Sequence, residues 1–215
     1  MNQDAVVIVA ARRTPIGSFL GSLSAVSAPE LAAVAIQACL KDAELTPDCI
    51  EQALIGCVLQ AGIGQAPARQ AALASGMPDS VDCTTINKVC GSAMKATVFA
   101  HDMIRAGSTT IAVAGGMESM SNAPYLLPKA RSGYRMGHQQ AIDHMLYDGL
   151  QNPYDGQSMG FFGDQTACKY DFSREQQDSF SIASVERALA AIASGAFDAE
   201  IAPVVVRSRK GDSVV

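Results

Sequence analysis

Tryptophan is missing from this 215-residue chain, aromatic residues make up only 6% of it, and histidine occurs three times. Charge is equally sparse. Only 17% of residues are charged, acids outnumber bases 21 to 16, and no basic field exists to draw the chain to nucleic acid. None of the six cysteines forms a C-x-x-C pair, and no His–Cys spacing suits zinc, so a metal site is not expected. The longest apolar runs, such as residues 5–11, are strand-sized, too short to cross a bilayer. Met1, Asn2, Gln3 and Asp4 lack the positive charge of a secretory leader, so an intracellular, cytoplasmic location is the expectation, with thiols kept reduced.

What is present is apolar. Hydrophobic residues reach 48%, enough for a large buried core and incompatible with a disordered tail. The pattern alternates strand and helix. Strands are expected over 5–11, 53–59, 82–87 and 109–114, each a short apolar run bounded by turn residues. Ser27, Pro29 and Glu30 open a helix whose apolar face holds Leu31, Val34, Ala35, Ala38 and Cys39. A short helix runs over 66–76, and another from Cys90 to Ala106, closed by Gly107. Such alternation predicts an α/β core with a largely parallel sheet covered on both faces. From Ser121 to Phe162 the pattern gives way to a Gly-, Pro- and Asp-rich stretch, of the kind that is usually functional. Ser173 and Gln176 then cap a helix to Ala193, and residues 204–206 read as a last strand.

Cys90 lies where a buried strand meets a tight turn and a helix begins. A thiol at a helix N-terminus sits beside unpaired N–H groups and the positive end of the helix dipole, which favours its thiolate. Gly91 and Ala93 leave room for substrate, and the Cys90 N–H is a candidate oxyanion donor. The same spacing also fits a core cysteine that packs the first turn.

The run Ile86, Asn87, Cys90, Gly91, Ser92, Ala93 resembles the acyl-enzyme motif of the thiolase family, with Thr97 departing from its usual aliphatic residue. Residues 7–17, 64–71, 114–121 and Gly211-Asp212 resemble further family segments in the same order, nearest the short-chain acetyl-CoA C-acetyltransferase branch. The resemblance implies a thiolase-like layered αβαβα fold, of which residues 1–120 form the first core and 121–215 begin an inserted coenzyme A-binding loop domain. It implies that Cys90 accepts an acyl group from acetyl-CoA and that a second acetyl-CoA condenses with it to acetoacetyl-CoA, or the reverse. Coenzyme A thioesters are then substrates, and no resident cofactor is required. Leu150, Ser158 and Met159 match a segment beside the pantetheine arm, with Ser158 where the family usually has His. Leu150 and Met159 would be apolar walls there, and for Leu150 plain core packing fits as well. Lys129, Arg131 and Arg135 form either a solvated face or the family's tetramer-docking loop. Segments 66–74 and 82–87 resemble its dimer interface, so a homo-oligomer, dimer or tetramer, is expected.

The family's general base, a histidine, and its second cysteine match nothing here. His101 reads as structural or exposed, His138 and His144 as solvated. The 215 residues are therefore expected to be inactive alone. Two other readings compete: a decarboxylating condensing enzyme of the ketoacyl synthase type on the same fold, and a non-catalytic interaction fragment. The 115–120 run and the Asn87–Ser92 motif favour thiolase.

Overall fold

The computed structural model describes residues 5–215; Met1–Asp4, read above for charge, lie outside them. The architecture is the α/β arrangement expected. Strands β1 (Gln52–Gly56), β2 (Asp82–Ile86) and β3 (Ala112–Gly116) form a parallel sheet in the order β2-β1-β3. Helix α1 (Ala28–Asp42) packs on α2 (Pro67–Ala74) over one face, and α3 (Ser92–Arg105) covers the other. Side chains of β1 alternate between these layers. Ala53 and Ile55 join Ile36, Leu40, Ala71 and Ala72 in one cluster, whereas Leu54 joins Ile86, Ala96 and Ala100 in another.

Small residues set the spacing. The deepest face of α1 is Ala32, Ala33, Ile36 and Leu40, not the expected stripe, because alanines allow close contact with α2. Leu31 and Val34 instead border a separate cluster of Leu23, Val26, Val204 and Val206. Gly56 and Gly116 lie side by side in adjacent strands and hold the start of α3. A Cβ on Gly56 would stand 2.8 Å from the Ala93 backbone nitrogen, and one on Gly116 2.8 Å from the Ala93 Cβ.

Glu51 closes the opposite end of the sheet. Its carboxylate accepts from the Thr109 hydroxyl at 2.7 Å and from the N–H and hydroxyl of Thr110 at 2.8 and 2.9 Å. This capture takes residues 109–110 out of the ladder and moves the start of β3 to Ala112, three residues later than expected. The same bonds, with Thr109 first, hold the Glu51 carboxyl below its ordinary value.

The first apolar run departs most from expectation. Residues 5–11 enter no strand; Val7, Ile8 and Val9 are 68%, 78% and 67% exposed. A strand needs a ladder partner. Here an open groove of about 490 Å³ separates residues 6–12 from the free edge of β3 at 111–114. Arg13 anchors the run at its end: its N–H donates to the Glu200 carbonyl at 2.9 Å, and its carbonyl accepts from the Ala202 N–H at 2.8 Å.

Beyond residue 120 the parallel sheet gives way to smaller units. Tyr125–Leu126 (β4) pairs antiparallel with Ile142–Asp143 (β5), and a π-helix spans Met145–Leu150. Helix α4 (Met159–Lys169) occupies sequence expected as loop up to Phe162. Helix α5 (Arg174–Ala193) starts at the expected Ser173–Gln176 box, with the Ser173 N–H donating to Gln176 at 2.8 Å and the Gln176 N–H returning to the Ser173 hydroxyl at 3.2 Å. Val205–Val206 (β6) pairs with Ser213–Val214 (β7), extending the strand expected at 204–206 into a ribbon. Among the described residues no helix is long and apolar enough to cross a membrane.

Two outcomes follow for stability. Gly56→Ala lowers the unfolding free energy by about 2 kcal/mol or more, because the new methyl meets helix backbone that has no slack; urea denaturation measures it. Glu51→Gln lowers the melting temperature at neutral pH. A lowered folded pKa stabilises above the ordinary carboxylate range and ceases to do so as pH falls through it. The gap between wild type and Glu51→Gln therefore closes in acid, and melting scans across pH check the sign.

Candidate active site

The sheet register determines where the loops meet. Gly56 pairs with both Ile86 and Gly116, so β1, β2 and β3 end level. The loops at their carboxyl ends, 57–61, 87–91 and 117–122, thus converge at one edge, the usual place for a site in a parallel α/β sheet. A cavity of about 400 Å³ opens there, with Cys90 in its wall.

The turn that carries Cys90 is strained and braced. Val89 has φ +48°, a left-handed conformation costly for a β-branched residue. The Ser92 hydroxyl donates to the Val89 carbonyl at 2.6 Å and accepts from the Lys88 N–H at 2.8 Å. Asn87 Oδ1 accepts from the Val89 N–H at 2.9 Å. Asn87 and Ser92 thus hold the turn, and Ser92 also lines the cavity. Helix α3 begins at Ser92 with Gly91 as its N-cap, two residues later than expected, because the braced turn occupies 88–91. Cys90 precedes the helix and is exposed.

The cavity walls are largely apolar: Val58, Leu59, Met117, Met120 and Met145, with Leu150 from the π-helix. Leu150 therefore shares the cavity with Cys90. Ser158 and Met159 do not line it. Ser158 is the N-cap of α4, its hydroxyl accepting from the Phe161 N–H at 3.4 Å, and Met159 is 48% exposed at the first position of that helix.

One carboxylate borders the cavity. Glu118 accepts from the Val58 N–H at 2.9 Å and the Leu59 N–H at 3.0 Å, and from the Cys57 thiol at 3.7 Å. These donors occupy its oxygens, so it shapes the 57–59 turn instead of standing free as a base. Cys57 is fully buried, and burial, then the neighbouring Glu118 charge, push its thiol up to about 12. It stays a thiol at neutral pH and does not compete with Cys90 as nucleophile. Burial likewise raises Cys39 and Cys83.

No histidine lines the cavity among the described residues. His101 is exposed on α3 and pairs with Asp102 at 3.1 Å, and His138 is exposed in the loop. His144 corrects the expectation of a solvated role. It is 5% exposed, lying between Asp148 and the 60–61 turn. The only sequence signal for this was its i, i+4 spacing to Asp148. Lys129, Arg131 and Arg135 are all exposed. Among the described residues no group of three His, Cys, Asp or Glu side chains could hold a metal ion.

The family described as thiolase, N-terminal domain, matches residues 6–215. Acetyl-CoA acetyltransferase 2 of Arabidopsis thaliana is 49% identical over 211 residues, covering 98% of this chain and 52% of that protein. Acetyl-CoA acetyltransferase of Cupriavidus necator is 48% identical over 209 residues, covering 97% and 53%. A probable acetyl-CoA acyltransferase of Staphylococcus aureus is 45% identical over 210 residues, covering 98% and 53%. The chain spans about half the length of the curated relatives it matches.

The cysteines differ in access, and the buried Cys57 is held a thiol, in a way that labelling reads directly. In the folded protein at neutral pH, iodoacetamide modifies Cys49, Cys90 and Cys168, and Cys90 fastest. Cys57 reacts only once the protein is unfolded or the pH approaches its raised value. Peptide mass mapping over time gives the six rates.

Proposed function

Because the chain belongs to the thiolase family through its N-terminal domain, we propose that it carries the nucleophile half of an acetyl-CoA C-acetyltransferase site. The observation that carries this reading is Cys90, exposed on a braced, left-handed turn at the mouth of an apolar cavity. Its sulfur attacks the carbonyl carbon of acetyl-CoA. The bond to coenzyme A breaks, and coenzyme A leaves as its thiol, with the acetyl group on Cys90. The enolate carbon of a second acetyl-CoA then attacks the acetyl carbonyl. A carbon–carbon bond forms, the Cys90 C–S bond breaks, and acetoacetyl-CoA departs. Thiolysis is the same path reversed. An oxygen ester would serve poorly; a thioester has both the electrophilic carbonyl and the acidic α-proton.

The Cys90 N–H is the proposed oxyanion donor, and Leu150, which lines the cavity, an apolar wall for the acyl group. Ser158 and Met159, at the start of α4, would meet the pantetheine arm farther out. Glu118 and Cys57 are engaged with each other and with the 57–59 turn. The base that activates Cys90 and the group that takes the α-proton are therefore proposed to come from polypeptide equivalent to the relatives' other half.

The division of the chain belongs to the same proposal: residues 1–120 as catalytic core, and 121–215 as part of a coenzyme A-binding insertion. The change from parallel sheet to short ribbons after Gly116 supports it. A homo-oligomer in the cytoplasm is a further part of the proposal, with the free outer edge of β2 as a supporting feature.

Intact and peptide mass after mixing with acetyl-CoA tests the reading. Residues 1–215 alone form no acetoacetyl-CoA. With the complementary half supplied, an acetyl group appears on Cys90, and Cys90→Ala lowers turnover by at least about a thousandfold, the scale on which a lost covalent nucleophile acts. Turnover by 1–215 alone, or acetylation elsewhere with Cys90 untouched, overturns it.

A further inference from the structure

His144 has both ring nitrogens bonded, and its partners belong to different parts of the fold. Nδ1 faces the Asp148 carboxylate at 2.5 Å, one turn along the π-helix that also carries Leu150. Nε2 accepts from the Ala61 N–H at 3.3 Å, in the turn that follows β1. The two bonds together define the tautomer: Nδ1 carries the proton and Nε2 the lone pair. The His144 N–H donates in addition to the Pro124 carbonyl at 3.2 Å.

The turn that His144 grips from one side is gripped by Glu118 from the other, through the N–H groups of Val58 and Leu59. The residues that Glu118 holds, Val58 and Leu59, are two walls of the Cys90 cavity. Leu59 is buried against Gly149 of the π-helix, where a Cβ would come within 3.3 Å of the Leu59 Cδ2. Among the described residues the turn and the π-helix therefore meet on apolar contact and one imidazole bridge, and each supplies a cavity wall.

We propose that His144 is a positioning residue for the acyl cavity: by bridging Ala61 and Asp148, it holds the 58–61 turn against the π-helix and so limits the bulk of the group that reaches Cys90. This rests on the reading of Cys90 as acyl acceptor, but its test does not require acyl transfer. The Cys90 alkylation rates with iodoacetamide and with N-benzyl iodoacetamide are compared, with exposed Cys168 as internal reference. His144→Asn keeps a donor for Asp148 but withdraws the acceptor from Ala61. His144→Gln reaches Ala61 with its Oε1.

In His144→Asn the benzyl-to-small ratio at Cys90 rises about fivefold, the factor one hydrogen bond commonly carries. It stays unchanged at Cys168, and the Ala61 amide exchanges faster with solvent. His144→Gln restores the wild-type ratio. Equal shifts in the Asn and Gln variants reduce His144 to packing, and an unchanged ratio in His144→Asn removes the proposal altogether. If a His144 variant does not fold, Asp148→Ala, changed at the protein's rim, decides the same question: a raised ratio supports the bridge, and an unchanged one overturns it. If the ratios shift as expected but the wild-type protein with its complementary half transfers no acetyl group to Cys90, the acyl-acceptor reading fails and the bridge stands.

Discussion

Two adjacent positions without side chains set the height of α3 above the sheet. Gly56 ends β1 and Gly116 ends β3, paired across the ladder, and the first turn of the helix rests on both. Contact that close pins Ser92 and Ala93, and pinning Ser92 has a second effect. Its hydroxyl then lies where it bonds the Val89 carbonyl and the Lys88 N–H. A left-handed β-branched residue costs of order 1–3 kcal/mol, and those two bonds, at about 1 kcal/mol each, are of a size to offset it. Cys90 is exposed at the cavity because the residues on both sides of it have no freedom.

Carboxylates tie β1 and β3 together at both ends. Glu51, just before β1, accepts from the residues that lead into β3. Glu118, just after β3, accepts from the residues that leave β1. Each supplies charge-assisted partners to backbone N–H groups that have passed beyond the ladder. At the cavity edge this has a chemical consequence: Glu118 is occupied, and its charge helps keep Cys57 protonated. The cavity wall therefore holds two cysteines, Cys57 buried and kept a thiol, and Cys90 exposed.

Much of this was legible beforehand. The alternation of apolar runs with capped helices showed the parallel α/β core, and Asn87, Cys90, Gly91 and Ser92 marked the turn. The failures are instructive. Residues 5–11 are as apolar as any strand, yet composition does not supply a ladder partner. Residues 109–110 read as strand, but two threonine side chains beside a carboxylate compete with the ladder and win. Helix α4 was hidden because Gly160 and Gly163 look like loop residues, while the Ser158 cap acts locally to start it.

Residue order alone was enough for the fold class and for the strand–turn–helix that carries Cys90, because these depend on periodicity and on residues within a few positions of one another; the choice of Cys90 as nucleophile came from family likeness. Long-range packing was needed to reveal that Glu118 serves the 57–59 turn, that Cys57 stays a thiol, and that His144 is a buried bridge between Ala61 and Asp148. Glu118 lies about sixty residues from the turn it holds, and His144 more than eighty from Ala61. No local pattern encodes such pairs. They exist because the strand register brings three loop ends to one edge, where unpaired N–H groups take whichever acceptor the fold delivers.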